Sequence, residues 1–352
     1  MFKTKSKSYS RKKIAIIGAG WFGCYIAYDL INCGYNVDIF EKQNKIFKGA
    51  SGFNQNRLHK GFHYPRSYKT IKESKTGYNK FIKTFPSLVE KINKNFYVIA
   101  KDEKNLIDFD IYKQILKSNR LNFKIEKKEH GLKNFSGIIS CDEKLINTKK
   151  AIKFFSSKIS KNIKFNYNVK KIIKENDKFI INNSKYDYII NSSWQTSFPA
   201  KKINYTYEAC LFFLYICKET NHPAITIMDG PFITLYPQDK KKFTLYSVKY
   251  TRLKKFKRFN TCLSFLNKIK KKKFINKYKL KHEEQIKKYY PNFSKKFKFL
   301  KPVITYRTII DNANAERSSK ILLKDKFINL LSGKIDHIFK SSEEIKKCLK
   351  KY

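Results

Sequence analysis

The sequence predicts an α/β fold, with a parallel sheet and crossover helix at its start and an antiparallel sheet later in the chain. Two observations carry this. Residues 13–41 read strand, turn, helix, strand within about thirty residues, the size of a crossover unit. Residues 205–250 instead hold several short runs rich in aromatic and β-branched residues, broken by turn residues.

Taken in order, residues 13–17 are an apolar run suited to a buried parallel strand. Residues 18–23 form a glycine turn, and residues 21–31 carry apolar positions at helical spacing, with Gly34 as the stop. Residues 37–40 make a second strand ending at Glu41, and residues 49–67 a long polar loop. Helices are expected over 78–92, 110–118 and 148–159, and strands over 96–100, 163–169, 178–181 and 186–191. The strand-rich block divides into 210–217, 225–228, 232–236 and 243–250. Residues 254–289 read as Lys-rich helix, 303–310 and 327–331 as strands, and 342–349 as a closing helix.

Composition bounds the function. The chain of 352 residues is 41% hydrophobic, enough for a real core. Its net charge of +49 invites a nucleic-acid reading. Of 77 basic residues, however, eight are Arg, leaving 77 − 8 = 69 Lys spread along the whole chain. Lys, Asn, Ile, Phe and Tyr share A/T-rich codons, so a biased genome gives this profile without selection for binding. A nucleic-acid reader would favour Arg for bidentate contacts, so no specific nucleic-acid partner is expected. Seven cysteines with no C-x-x-C pair fit a reducing, cytoplasmic setting. The apolar run after the basic N-terminus stops at glycines, unlike a signal peptide. Residues 209–217 are too few to span a bilayer, so no transmembrane segment is expected.

The first motif is Gly18-Ala-Gly20-Trp21-Phe22-Gly23. Gly18 permits the turn off the strand, Gly20 lets the backbone approach a pyrophosphate, and Gly23 lets the helix pack on the sheet. Phosphates suit the positive end of that helix. Glu41, eighteen residues past Gly23 and followed by Lys42, is placed to take both ribose hydroxyls, and its charge disfavours a 2′-phosphate. This is a Rossmann-like, dinucleotide-binding arrangement. The second motif runs from Gly49 through Ser51, Asn56, Arg57, Leu58, His59, Gly61 and His63 to Pro65 and Arg66. Its Gly and Ser supply backbone and hydroxyl donors to a pyrophosphate.

The pairing of these motifs resembles the D-amino-acid-oxidase-like FAD-dependent oxidoreductases, which include amino-acid and amine oxidases and L-2-hydroxyglutarate oxidases. The Asn56-Arg-Leu-His-Lys-Gly-Phe-His-Tyr-Pro65 stretch is most similar to the hydroxyglutarate branch. Val169 matches the segment passing the adenine, residues 186–194 a late strand of the family, and Gly333-Lys334 its strand-Gly-helix segment. Ser192-Ser193-Trp194 replaces the usual A-T-G, and Gly333 stands where the family has several glycines. The resemblance implies FAD as cofactor. It also implies a glutathione-reductase-type FAD domain (residues 1–75, 145–200 and 300–352) interleaved with an antiparallel-sheet substrate domain (76–144 and 201–299).

The implied chemistry removes hydride from a C–H beside an amine or hydroxyl on a small, carboxylate-bearing substrate. His59 and His63 are candidates for a hydrogen-bonding group or general base, since a hydroxy acid must lose its O–H proton as hydride leaves. Their H-x-x-x-H spacing would bind metal on a helix, but Gly61 and Pro65 break a helix there and no third ligand is evident. Among the scarce arginines, Arg307 is the first choice for clamping a carboxylate and Arg66 the second. Arg317, Tyr236, Tyr246 and Tyr250 are further candidates for the same pocket, with ion pairing and core packing as the plainer readings. Three rivals remain: a flavin-dependent sugar-nucleotide mutase, a polyanion-binding protein, and a degenerate flavin fold acting as a scaffold. The electron acceptor, oxygen or a redox partner, is left open.

Overall fold

In the computed structural model, residues 12–102, 105–201, 203–310, 319–331 and 333–351 are described. Among them, one unit comprises those between 12 and 52, 151 and 204, and 319 and 351. The other comprises those between 53 and 150 and between 205 and 310.

The first unit is built on a six-stranded sheet. Strand β1 (Lys13–Ile17) lies at its centre, parallel to β2 (Asn36–Phe40) on one side and to Tyr188–Asn191 on the other. Helix α1 (Trp21–Asn32) is the crossover between β1 and β2. Phe327–Leu331 extends the parallel set beyond Tyr188–Asn191, and Lys320–Lys324 closes that edge antiparallel. Ile163–Lys164 forms the other edge. Strands buried on both faces need continuous apolar runs, and Ile14, Ala15, Ile16 and Ile39 are fully buried. After β1 the chain adds β2 and then Ile163–Lys164 on one side, and crosses to the other side with Tyr188–Asn191. That makes the carboxyl end of β1 a switch point, where α/β sheets bind ligands.

Two expectations for this unit need correction. The strand over 163–169 stops at Lys164. A turn with Asn166 at φ 54° follows, and the Tyr167 N–H then bonds to the Glu41 carbonyl at 2.9 Å. Val169 therefore lies outside any strand, although it is buried beside Ile17, Phe40 and Tyr186. The strand over 186–191 is two strands, because residues 184–186 belong to a separate antiparallel meander with 173–175 and 178–181. Between them Asp187 exchanges bonds with Lys13, giving its N–H to the Lys13 carbonyl and taking the Lys13 N–H on Oδ2.

The second unit carries a nine-stranded, mostly antiparallel sheet. Its spine is a pair of long strands, Tyr205–Cys217 and Phe297–Ile310, paired along their whole length. A small sheet joins Arg57–Leu58, Lys144–Ile146 and Val89–Lys91. These pairings explain why residues 53–75, 145–150 and 300–310, expected with the first unit, fall in the second. Helix Lys272–Tyr289 covers the large sheet, its Ile286 and Tyr289 packing into a core of Phe213, Leu235, Leu245 and Phe96.

The helix expected over 78–92 runs instead over Tyr68–Thr84. Ser67 caps its start by accepting the Thr70 N–H. Pro86 lacks the N–H that would continue it. The 243–250 strand ends at Ser247, where a short helix, Val248–Thr251, takes Tyr250 out of the sheet. The 254–289 helix resolves into a Lys-rich edge strand, Arg252–Phe256, and two helices, Phe259–Lys268 and Lys272–Tyr289. No described helix is long and apolar enough to cross a membrane.

Candidate functional site

The residues that carry chemistry form two clusters, one in each unit. In the first, Gly18 sits at φ +99°, in the left-handed region, and its N–H bonds to the Phe40 carbonyl at 2.8 Å. Gly23 meets a harder limit: a Cβ there would lie 1.9 Å from the Gly18 carbonyl oxygen. Gly20 is the N-cap of α1, with no side-chain cap of its own. The Trp21 N–H donates to Ser51 Oγ at 3.0 Å. The Trp21 ring packs at 4.7 Å from Phe47 and edge-on to Phe155 at 5.8 Å, and Phe22 is half-buried.

Glu41 follows β2 directly and is buried. Its Oε2 accepts the Ala19 N–H at 2.7 Å and its Oε1 the Gln43 N–H at 2.9 Å. The carboxylate is thus aimed by backbone at the glycine turn. Each oxygen keeps a second lone pair for a further donor. Lys42 beside it is exposed. Gly333 is exposed and Lys334 buried in the segment joining Phe327–Leu331 to the closing helix, Ile338–Leu349. Nothing lies within 4 Å of where a Gly333 Cβ would stand.

In the second cluster His59 and His63 come together, ring centroids 4.4 Å apart. His59 is buried and His63 half-buried. The Tyr97 hydroxyl lies 3.4 Å from His63 Nδ1 and donates to Glu143 Oε2 at 2.6 Å. Glu143, 1% exposed, also accepts the Lys60 N–H at 2.6 Å and the Asn95 amide at 3.1 Å. Burial raises its carboxyl above the usual carboxylate range, against the pull of the Arg57 guanidinium and these hydrogen bonds. Burial pushes the Tyr97 phenol well up too.

Arg57 belongs to this second cluster. Its Nη2 donates to Tyr97 at 2.8 Å and to Thr226 Oγ1 at 3.2 Å, and the guanidinium lies 4.3 Å over the Tyr236 ring. Leu58 is buried beside it, as is Asn56, at φ 54°. Asn56 Oδ1 is shut off from solvent with no partner among the described residues.

The two proposed arginine clamps already hold carboxylates. Arg66 pairs with Asp229. Arg307 Nε pairs with Glu208 Oε2 at 2.5 Å, directly across the strand pair, while its buried Nη2 has no partner among the described residues. Arg317 lies outside the described residues. Sequence reasoning missed Glu143, Tyr97, Asn95 and Thr226. A signal existed for two of them: Asn95 and Tyr97 alternate within an otherwise apolar strand, Asn95–Ala100, and so share a face.

The model of the FAD dependent oxidoreductase family (DAO) matches residues 13–203. The chain belongs to this family. It is an FAD-dependent oxidoreductase, and FAD is its cofactor. It is 31% identical to an FAD-dependent monooxygenase, FPY4, of Fusarium mangiferae, over 94% of this chain and 89% of that one. It is 24% identical to the FAD-dependent monooxygenase kojA of Aspergillus flavus, over 95% of this chain and 84% of that one. The fold matches L-α-glycerophosphate oxidase from Mycoplasma pneumoniae with a TM-score of 0.75 at 16% identity, covering 97% and 95% of the two chains. It matches glycine oxidase from Geobacillus kaustophilus at 0.66 and 10%, covering 94% and 92%. The closer tie to hydroxyglutarate oxidases read from the flavin loop is not what these relatives display.

The first unit fits the cofactor on its own geometry. A Cβ at Gly20 would stand 2.9 Å from Ser51 Oγ and fill the space at the helix start. A helix N-terminus whose N-cap, Gly20, brings no side chain of its own, beside a fixed carboxylate, is the donor and acceptor set that a pyrophosphate and a ribose require.

Proposed function

We propose that the enzyme oxidises a C–N or C–O bond of a small, carboxylate-bearing substrate: an amino acid, an amine or a 2-hydroxy acid. Bound FAD supplies the acceptor for the hydride, at its N5. Gly18, Gly20, Trp21, Phe22, Gly23 and Ser51 would hold the pyrophosphate side, Glu41 and Lys42 the ribose, and Val169 the adenine side. Gly333 and Lys334 would serve the flavin ring. Asn56, Arg57 and Leu58, in the flavin loop, complete the cofactor-binding set.

The observation that carries this reading is the histidine pair backed by a buried carboxylate. His63, the more open of the two, takes the substrate proton at Nε2. His59, 4.4 Å away, orients it. The unpartnered Nη2 of Arg307 is the donor available to a substrate carboxylate, and its bond to Glu208 holds the fork still. Arg66, committed to Asp229, is the weaker clamp. The flavin-loop likeness to hydroxyglutarate oxidases supports a hydroxy acid among the three classes. The seven free thiols support a reducing, cytoplasmic setting.

A second reading, flavin-dependent hydroxylation, is favoured by the names of FPY4 and kojA. One experiment separates them. The purified yellow enzyme is mixed anaerobically with a panel of amino acids, amines and 2-hydroxy acids. Bleaching by one of these alone supports dehydrogenation. Bleaching only by a nicotinamide donor, with labelled oxygen entering the product on aeration, supports hydroxylation and overturns the first reading. Bleaching only by dithionite would point to the mutase. The rate of re-oxidation by air then tells oxygen from a redox partner as acceptor.

A further inference from the structure

We propose that Glu143, Tyr97 and His63 form a proton wire, in which Glu143 is the final acceptor of a proton taken up at His63. The proposal rests on His63 being the base described above. The wire's polarity follows from counting protons. The Tyr97 hydroxyl has one proton and gives it to Glu143 Oε2, 2.6 Å away. Arg57 Nη2 is a donor only and occupies a lone pair of the Tyr97 phenol oxygen, at 2.8 Å. Towards His63 the phenol oxygen is therefore an acceptor. His63 Nδ1, 3.4 Å away, must carry the proton, which leaves the lone pair on Nε2. Such a second partner fixes the tautomer of a working histidine.

The transfer balances without forming a charged imidazole. A proton arrives at His63 Nε2. The Nδ1 proton passes to the Tyr97 oxygen, and the Tyr97 proton passes to Glu143 Oε2. The histidine ends neutral in the Nε2–H form, the phenol is intact, and the carboxylate has become a carboxylic acid. Glu143 is suited to the last place because burial already raises its proton affinity. Tyr97 is suited to the middle place because its raised phenol never ionises.

The groups facing the wire do not compete with it. Arg57 is the cation beside it. Asp142 is bonded to Lys60 at 2.6 Å. Cys141, Tyr78, Tyr112 and Tyr236 are all pushed up by burial and stay neutral. At the other end His59 and Tyr64 adjoin the His63 ring.

The test needs no substrate. The oxidised holoenzyme, labelled with nitrogen-15 histidine, is titrated with acid while NMR follows the His63 tautomer and infrared follows the protonated carboxyl stretch. His63→Asn assigns the His63 signals. The wild type should show the Nδ1–H form at high pH. It should flip to Nε2–H as the carboxyl band grows, both with one midpoint. Glu143→Gln should lose the band and the flip together while keeping Nδ1–H, since Gln still accepts from Tyr97. Tyr97→Phe should show the band without the flip. Flavin content checks that each variant is folded. A wild type in the Nε2–H form at high pH, or a band that grows with no change of tautomer, overturns the wire and leaves the base reading standing. If His63→Asn is bleached by the substrate panel at the wild-type rate, the base reading falls while the titration result keeps its meaning.

Discussion

A single methyl group decides the glycine turn. In Gly23→Ala the new carbon would stand 1.9 Å from the Gly18 carbonyl oxygen, and backbone cannot swing aside as a side chain can. The helix must move off the sheet, at a cost of about 3 kcal/mol or more. We expect a protein with a lowered melting temperature that purifies without its yellow colour. Gly49→Ala meets nothing within 4 Å and should keep both. If Gly23→Ala held flavin as the wild type does, the turn would not be the cofactor site. Glu41 can be tested in the same way. Its two oxygens satisfy two backbone N–H groups, so Glu41→Gln, with one acceptor oxygen, strands one of them. The loss should be about 1–3 kcal/mol, read in thermal melts, with flavin retention falling further in Glu41→Ala. These residues were legible in the sequence because a turn of six residues encodes its own geometry. Glu143 was not, since its link to Tyr97 spans 46 residues and nothing around it in the chain announces burial.

At the scale of elements, local pattern told helix from strand wherever the chain obeyed its own period. Lys13–Ile17 and Thr148–Ile159 fall where the spacing puts them. Pattern failed where pairing overrode it. Residues 252–256 have the Lys-rich look of a helix surface, yet they pair with residues 207–210 and become a charged edge strand. The next helix breaks before Lys272 with no Pro or Gly to break it, and Ile269 is buried there beside Cys262, Leu266 and Tyr207. The helix Lys272–Tyr289 is tied to Val248–Thr251 through His282. That imidazole gives Nδ1–H to the Tyr278 carbonyl at 2.8 Å and accepts the Thr251 hydroxyl on Nε2 at 3.0 Å. Burial lowers its pKa from 6.5 to about 4. The unfolded chain therefore binds a proton there that the folded chain refuses. Stability is unaffected above pH 6.5 and falls as pH drops from 6.5 towards 4, by on the order of 3 kcal/mol. His282→Gln removes this slope, so urea melts of the two proteins should converge across that window. Parallel pH profiles would show that His282 is not neutral in the folded state.

For the whole molecule the governing quantity is charge. With 77 basic and 28 acidic side chains, at most 28 positive charges can be paired, and +49 remains in self-repulsion. The sequence made that sum plain, as it did the alternation of two units. It misjudged where the chain crosses between them, because Phe297–Ile310 owes its place to a partner strand eighty residues earlier. Repulsion among exposed charges acts over the Debye length, about 10 Å at 0.1 M salt and about 3 Å at 1 M. Raising salt should therefore stabilise this enzyme, whereas a protein near neutrality would change little. We expect the melting temperature to climb by several degrees between low salt and 0.5 M sodium chloride. The same field should draw heparin and DNA at low salt, in proportion to counterions released. That attraction should be gone by moderate salt, with no preference for sequence, because the Lys-coated surface offers point charges and few of the forked contacts that read bases. Retention on DNA at 0.5 M salt, or a melting temperature that falls as salt is added, would mean the charge is organised for a polyanion after all.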